Sequence, residues 1–276
     1  MRNDISQKIK EYANTNDAIE SIFYVKRDNN DQFYRIYTIA KDIIIGKLED
    51  ELVSLFDDII FVNRSKESIE IDKKDFSYTT INLYKMDNVK IQESIISSDM
   101  ANDFIQKLPS DIEFLYNKPD AVSLNPNKEF KYKEIKEYEF SQTVRNFFAD
   151  AIEVSLYLKT TNVLAASIKM TKLREELINM LRIYVLNKYY GLRDIGEDGR
   201  DFTHCLNKEY KDDLEETFHD INPLNIYNSL FKACVLFRQV AMQEAELLGF
   251  EYDRKTDVKT LKLLRNNYKS LESFLN

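Results

Sequence analysis

The chain has 276 residues, of which 43% are hydrophobic and 31% charged, and its 17 Tyr and 17 Phe supply enough apolar bulk for folded cores. Five Gly and four Pro are few for this length, which favours helices over loops. The formal net charge of −8 argues against a nucleic-acid-binding protein and suits a cationic ligand better. No run reaches the roughly 18 apolar residues of a membrane span, and segment 1–14 lacks an apolar signal region. We therefore expect a cytoplasmic protein without membrane contacts.

Region 1–118 is predicted to form a mixed α/β unit. Its runs of β-branched and aromatic residues indicate strands, and the turn clusters at 28–31 and 85–88 indicate two hairpins. The predicted strands are 21–27, 33–40, 57–63, 76–84, 89–96 and 111–117. The predicted helices are 3–14, 46–55 and 99–108.

Region 141–276 is predicted to be a helical bundle, because the strand signals stop after a linker or crossing arm at 119–140. Ser141 can cap a first helix that runs to about Thr160. The further predicted helices are 162–190, 207–218, 224–250 and 256–275. The expected fold class is therefore α+β, with an N-terminal mixed-sheet domain followed by a C-terminal helical bundle domain.

The sequence contains no P-loop, GxGxxG, HExxH, CxxC or GxSxG pattern. The glycine-rich segment 191–202 has no following GK[ST] and is typical of a connection between helices. Cys205 and Cys234 lack a metal-ligand spacing and are predicted to be small buried hydrophobic residues. His204 and His219 stand alone, which does not favour a catalytic role for either.

Two adjacent acidic pairs, Asp57-Asp58 and Asp212-Asp213, do not indicate a metal site. Neighbouring side chains diverge on a strand and on a helix, so we expect caps or surface charges. In the helix predicted at 224–250, Arg238 and Glu246 belong to polar faces. Such a face is either solvated or lines a cleft between domains, and the sequence leaves both interpretations open.

Several spaced blocks form a recognisable pattern. The run SLFKACVLFRQVAMQEAELLGFEYD at 229–253 has an LFR-x-V block and a YD ending, KLREELINML lies at 172–181, and GRDFTHCLNKEYKDDLEETF lies at 199–218. Near the N-terminus, FSY at 76–78 precedes a predicted hairpin. In these blocks, over roughly 20–276, the chain resembles the streptomycin 6-adenylyltransferases, which are two-domain bacterial nucleotidyltransferases. The resemblance rests on several blocks rather than on one exclusive signature.

This resemblance implies a nucleotidyltransferase-like N-terminal domain and a reaction in which a drug hydroxyl attacks the α-phosphate of ATP. In that family an Asp-x-Asp strand and a third Asp hold two Mg²⁺ ions, a Gly-Ser turn cradles phosphate, and a helical-domain carboxylate can act as base. In this chain the first glycine is Gly46, so the Gly-Ser turn is missing. Aligned on the family, the three aspartates fall on Phe33, Arg35 and Gln92, and the helical-domain acid falls near Ser167.

We therefore hypothesise a pseudoenzyme, an aminoglycoside 6-adenylyltransferase-like protein that has lost metal-dependent nucleotidyl transfer. It would retain a cleft for a small molecule, either a nucleotide or an aminoglycoside, or for a protein partner, and no metal or other cofactor is expected. The expected ligand-binding residues are Arg35, Gln92, Arg200, Arg238 and Glu246.

Two alternatives stay open. The first is an active aminoglycoside (streptomycin) adenylyltransferase that confers antibiotic resistance and uses ATP and Mg²⁺. The carboxylates available for it are Asp28, Asp31, Asp42 and Glu93. The second is a structural or interaction protein, such as a dimer, whose cleft is closed by aromatic residues such as Phe33 and Tyr34.

Overall fold

A computed structural model describes residues 2–26, 32–41, 45–71, 74–121, 123–132, 134–196 and 199–275. The chain divides into two compact units, residues 1–130 and 131–276. The first unit contains a mixed sheet with helices and the second contains helices, so the predicted α+β class is confirmed. Among the residues described, none of the helices combines the length and the apolar character of a membrane span.

The first unit is built on one six-stranded sheet with the strand order β3-β4-β5-β2-β1-β6. The pairing of β2 with β5 is parallel, and the other neighbouring strands are antiparallel. The strands are β1 Ile19–Val25, β2 Phe33–Ala40, β3 Ile59–Ile71, β4 Lys74–Lys85, β5 Lys90–Ser97 and β6 Ile112–Asn117. The helices are α1 Arg2–Thr15, α2 Ile45–Ser54 and α3 Ala101–Ile105, the last preceded by a 3-10 turn at Ser98–Met100.

Most predicted elements of this unit are confirmed, including the antiparallel pairs β1–β2 and β4–β5. The predicted turn at 28–31 lies outside the described residues. Strand β3 is longer than predicted, because it continues through the polar run 64–71. These residues form an edge of the sheet and pair with β4 alone, so alternating charges are tolerated there although their local propensity for strands is weak.

The two faces of the sheet carry separate hydrophobic clusters, because successive side chains of a strand point to opposite faces. On one face, which we call the α1 face, Ile22 and Ile36 belong to a cluster with Ile9 of α1. On the other, the α3 face, Phe23 and Tyr37 belong to a cluster with residues of α3. The Phe23 and Tyr37 rings stack with centroids 5.3 Å apart. A residue's position along its strand therefore decides which of two environments it enters.

The second unit consists of helices in its described residues: α4 Glu137–Lys159, α5 Val163–Lys188, α6 Phe202–Cys205, α7 Lys208–Glu215, α8 Pro223–Leu248 and α9 Arg254–Leu275. The predicted cap at Ser141 is wrong, since α4 begins four residues earlier. Glu139 accepts a hydrogen bond from the Lys136 N–H at 3.3 Å, and the first turn also contains Glu137, which suits the positive end of the helix dipole. The short helix α6 was not predicted.

Aromatic stacking and one polar network hold the long helices together. Phe147 of α4 stacks on Phe237 of α8 with centroids 3.8 Å apart. Within the same core, the hydroxyls of Ser155 and Tyr227 lie 3.0 Å apart, and Asn267 Nδ2 donates to Ser155 Oγ at 2.8 Å. These three buried side chains come from α4, α8 and α9, so their hydrogen bonds fix how these helices pack against one another.

Replacing Tyr227 with Phe is expected to lower the free energy of unfolding by about 1–2 kcal/mol, because the change removes only the hydroxyl that pairs with Ser155 in a buried site. The matched control is Tyr190→Phe, at a side chain that is 80% exposed, and it should leave stability unchanged. Urea denaturation followed by circular dichroism measures both variants. Equal stability of Tyr227→Phe and the unmodified protein would show that the network does not stabilise the bundle.

Candidate functional site

The parallel pairing of β2 with β5 places Arg35 directly opposite Gln92. Arg35 Nε donates a hydrogen bond to Gln92 Oε1 at 2.7 Å. Phe33 lies two residues before Arg35, and its ring centroid is 5.6 Å from Arg35 Cζ and 5.2 Å from Lys90 Nζ. The three residues predicted at the family's metal-ligand positions therefore come together, and two cations flank their aromatic ring.

The polar row continues from β5 onto β4. Asn82 is the cross-strand neighbour of Gln92, and both side chains are 8% exposed. Asn82 Oδ1 is buried, with no hydrogen-bond partner among the described residues. We call Arg35, Gln92 and Asn82 the Arg35 row. Its guanidinium and amides lie on the α3 face of the sheet and present donors and acceptors but no carboxylate.

A second polar row lies beside the first, two residues further along β2 and β5. Ser94 is the register partner of both Tyr37 and Thr80, and the Thr80 and Ser94 hydroxyls lie 3.1 Å apart. The polar positions of β4 are not among the predicted site residues. The signal was present, because Thr80 and Asn82 alternate with the apolar Ile81 and Leu83.

Glu67 is the acidic side chain described on the β3–β4 part of the α3 face, and it accepts a hydrogen bond from a tyrosine. Tyr78 donates its hydroxyl to Glu67 Oε2 at 2.8 Å across the β3–β4 pair. Burial and the neighbouring Glu67 raise the pKa of Tyr78 above its ordinary value, whereas the positive charge of Arg35 acts to lower it. Glu67 is thus fixed in a hydrogen bond within the β3–β4 pair.

Glu93, one of the carboxylates considered for an active enzyme, points to the opposite face of the sheet. It follows Gln92 in β5 and is 2% exposed, and Thr38 donates a hydrogen bond to it. Burial raises its pKa to about 7, against the lowering effect of the Thr38 hydrogen bond. The strand alternation that separates Glu93 from Gln92 keeps this carboxyl group out of the Arg35 row.

The described residues do not fit a magnesium site. No group of three His, Cys, Asp or Glu side chains in the described part of the chain could hold a metal ion. Mg²⁺ binds through carboxylate oxygens and water, whereas the Arg35 row offers a guanidinium and amides. The other carboxylates considered, Asp28, Asp31 and Asp42, lie outside the described residues.

Four candidate residues belong to the helical unit, and each has a different environment. Arg238 Nε donates to Asp257 at 2.5 Å, and this partner raises the pKa of Arg238. The pair links α8 to α9, which gives Arg238 a structural role. Arg200 Nε lies 3.8 Å from Asp201 Oδ2 in the glycine-rich segment. Glu246 is exposed on α8, and Ser167 is half-buried on α5.

The remaining residues noted in the sequence have structural surroundings. Cys205 and Cys234 are buried and unbonded to each other, which confirms the prediction for both. Asp58 pairs with Lys85 Nζ at 2.6 Å, as expected for a charge outside a metal site. Glu244 of α8 is a buried carboxyl group whose Oε2 accepts from Asn187 Nδ2 at 2.8 Å.

Comparison with known proteins identifies the family. The family model for streptomycin adenylyltransferase matches residues 2–266. The chain belongs to this family. The resemblance found in the sequence blocks is thereby confirmed over nearly the whole chain. Among curated proteins, none matches this chain significantly.

Solved structures also match the chain along most of its length. An aminoglycoside 6-adenyltransferase from Bacillus subtilis is 17% identical, with 96% of each chain covered and a TM-score of 0.49. A nucleotidyltransferase-like protein from Exiguobacterium sibiricum is 12% identical, with 99% of this chain and 90% of that chain covered and a TM-score of 0.35.

Because its pKa is raised, Glu93 should make the stability of the protein depend on pH. Between its unfolded value of 4.5 and about 7, the native state holds a proton that the unfolded state has lost, so stability falls as the pH rises through this window. From pH 5 to pH 8 the unmodified protein should lose about 2–3 kcal/mol of unfolding free energy relative to Glu93→Gln.

Urea denaturation of both proteins at pH 5 and pH 8 measures this difference, since contributions from all other groups cancel. Glu70→Gln, at an exposed position of β3, is the matched control and should follow the unmodified protein. A parallel pH dependence of the unmodified protein and Glu93→Gln would contradict the burial argument.

Proposed function

We propose that this member of the streptomycin adenylyltransferase family binds a phosphate-bearing small molecule at the Arg35 row without a metal ion, and has lost efficient nucleotidyl transfer. The observation that carries the proposal is the guanidinium of Arg35, which is hydrogen-bonded to Gln92 on the α3 face of the sheet where the sequence alignment expects metal-binding carboxylates.

Charge argues against metal-dependent transfer at this position. Two-metal nucleotidyl transfer requires Mg²⁺ to neutralise the triphosphate and to orient the attacking hydroxyl. A divalent cation beside Arg35 would meet a like charge, and Lys90 adds a second one near the same aromatic ring.

The same charges suit a phosphate group. A guanidinium presents several N–H donors in a planar fork that matches phosphate oxygens and does not need a metal to do so. Gln92 holds Arg35 through Nε, which restricts the orientation of the guanidinium before a ligand arrives. The row thus provides a pre-oriented positive charge.

The local charge also selects between the two ligand classes considered from the sequence. The net charge of −8 favours a cationic aminoglycoside, but the net charge describes the whole chain. Arg35 and Lys90, the two cations beside the Phe33 ring, are both positive, so a nucleotide phosphate is favoured over a polycationic drug. Family membership favours the second candidate, an active adenylyltransferase that modifies an aminoglycoside with ATP and Mg²⁺ and confers resistance.

Isothermal titration with ATP in EDTA tests the first candidate. The unmodified protein should bind ATP in the absence of divalent ions, and Arg35→Met should weaken binding by about tenfold or more, because a charge-assisted hydrogen-bonding group is lost. The matched control is Arg64→Met, which removes an arginine from β3 that pairs with Asp50 at 2.9 Å. It lies opposite Ile81, hence on the α1 face, and should not change ATP affinity.

An adenylylation assay with streptomycin, ATP and Mg²⁺ separates the two candidates. We expect no turnover above a protein-free control. Robust turnover would reject the loss of catalysis and support the active enzyme. ATP binding that requires Mg²⁺, or that is unaffected by Arg35→Met, would reject the metal-free phosphate site.

A further inference from the structure

Arg174 of α5, in the helical unit, is a half-buried cation for which the described part of the chain provides no acidic partner. Its Nε is buried and has no hydrogen-bond partner, and no described carboxylate lies within ion-pair distance of its guanidinium. Two other arginines of this unit, Arg182 and Arg238, differ. Arg182 Nε donates to Asp194 at 2.8 Å, and Arg238 Nε donates to Asp257 at 2.5 Å. In a chain with more acidic than basic residues, a half-buried guanidinium without a described carboxylate partner requires an explanation.

The guanidinium of Arg174 is held against an aromatic ring. Its Cζ lies 4.6 Å from the ring centroid of Phe218, which is within the range of a cation–π contact. Burial lowers the pKa of Arg174. The side chain remains charged at neutral pH, because arginine keeps its proton in proteins, so its positive charge is desolvated and uncompensated.

The segment that carries Phe218 is held in place by hydrogen bonds and an ion pair. Ser229 of α8 donates to the Glu216 carbonyl at 3.3 Å, and Lys232 Nζ lies 2.5 Å from Glu216 Oε2. Thr217 is buried and donates to the Leu214 carbonyl at 2.7 Å. Phe218 is therefore a fixed platform for Arg174, and its ring is still 60% exposed.

A second unsatisfied polar atom lies next to this platform in the chain. His219 Nε2 is buried without a partner in the described residues, while Nδ1 lies 2.7 Å from the Asp220 carbonyl oxygen. An Nδ1–H that donates to this carbonyl fixes the orientation of the ring. The platform thus combines an unpaired guanidinium with an imidazole nitrogen that also lacks a partner.

We propose that Arg174 and Phe218 form a binding site for the oxyanion group of a small organic molecule, either a phosphate or a carboxylate. The oxyanion would accept hydrogen bonds from the two terminal nitrogens of Arg174 in a bidentate arrangement of the kind that guanidinium groups favour. The exposed ring of Phe218 would contact the apolar part of the ligand. The site lies in the helical unit and does not depend on the function proposed for the Arg35 row.

Titration calorimetry at constant ionic strength, with inorganic phosphate in one series and acetate in the other, tests the site. All proteins carry Arg35→Met, so that the Arg35 row cannot account for binding. Arg174→Met should weaken anion binding by about tenfold, and Arg174→Lys should also weaken it, because lysine keeps the charge but loses the planar fork. Arg265→Met removes an equal charge from an exposed position of α9 and is the matched control.

A second measurement uses the unmodified protein and so does not depend on the folding of a variant. In its ¹⁵N spectrum, the Nε–Hε signal of Arg174 should shift on addition of the anion that binds. A larger response to phosphate or to acetate identifies which oxyanion the site takes. Absence of any shift and of any binding heat with both anions would overturn the proposal. Equal affinity of the Arg174→Met and Arg265→Met proteins would overturn it as well.

Discussion

The register of β2 against β5 is the constraint on which the candidate site depends. In this parallel pair Arg35 lies opposite Gln92, and Ile36 lies opposite Glu93. Because successive side chains alternate between faces, a single step along β5 decides whether an amide or a carboxyl group joins Arg35. A shift of one residue would have placed an acid beside the guanidinium. The observed register instead places an amide beside Arg35 and buries the acid on the α1 face.

This arrangement separates what the family membership establishes from what it does not. The family model covers nearly the whole chain, but an activity belongs to the geometry of a site and not to a fold. Metal-dependent phosphoryl chemistry needs negatively charged oxygens that converge at one point. On the described strands the acids are dispersed, since Glu67 is bonded to Tyr78 and Glu93 lies on the other face.

Local patterns allowed much of the fold to be predicted, and the failures have physical causes. The strand 33–40 was predicted at its observed bounds, because its β-branched and aromatic residues are typical of a buried strand. Strand β3 was underestimated, since its second half is a polar edge that only cross-strand pairing with β4 stabilises. The start of α4 was misplaced because Ser141 is a good cap in isolation, whereas Glu139 completes a cap at Lys136.

The candidate site was predictable only in part. The alignment on the family pointed to Phe33, Arg35 and Gln92. Strand alternation placed Glu93 on the other face of the sheet, as observed. The sequence could not show that Asn82 extends the row, since the β4–β5 register depends on which residues of the hairpin pair. Nor could it distinguish Arg174 from Arg182 and Arg238. All three are arginines on long helices, and only the tertiary packing decides which of them meets an aspartate.

Net charge and local charge lead to opposite expectations for the ligand of this protein, and the proposal for Arg174 rests on the local charge. The surplus of acidic residues favours cationic ligands in general, but its electrostatic attraction acts over distances at which salt screens it. Arg174 lies against the ring of Phe218, where burial removes water from its guanidinium. A cation that is desolvated without a carboxylate costs stability, whereas the arginines paired with aspartates recover much of that cost. Such an arrangement is favourable when an oxyanion completes it, which is why Arg174 is a better indicator of ligand chemistry than the overall composition.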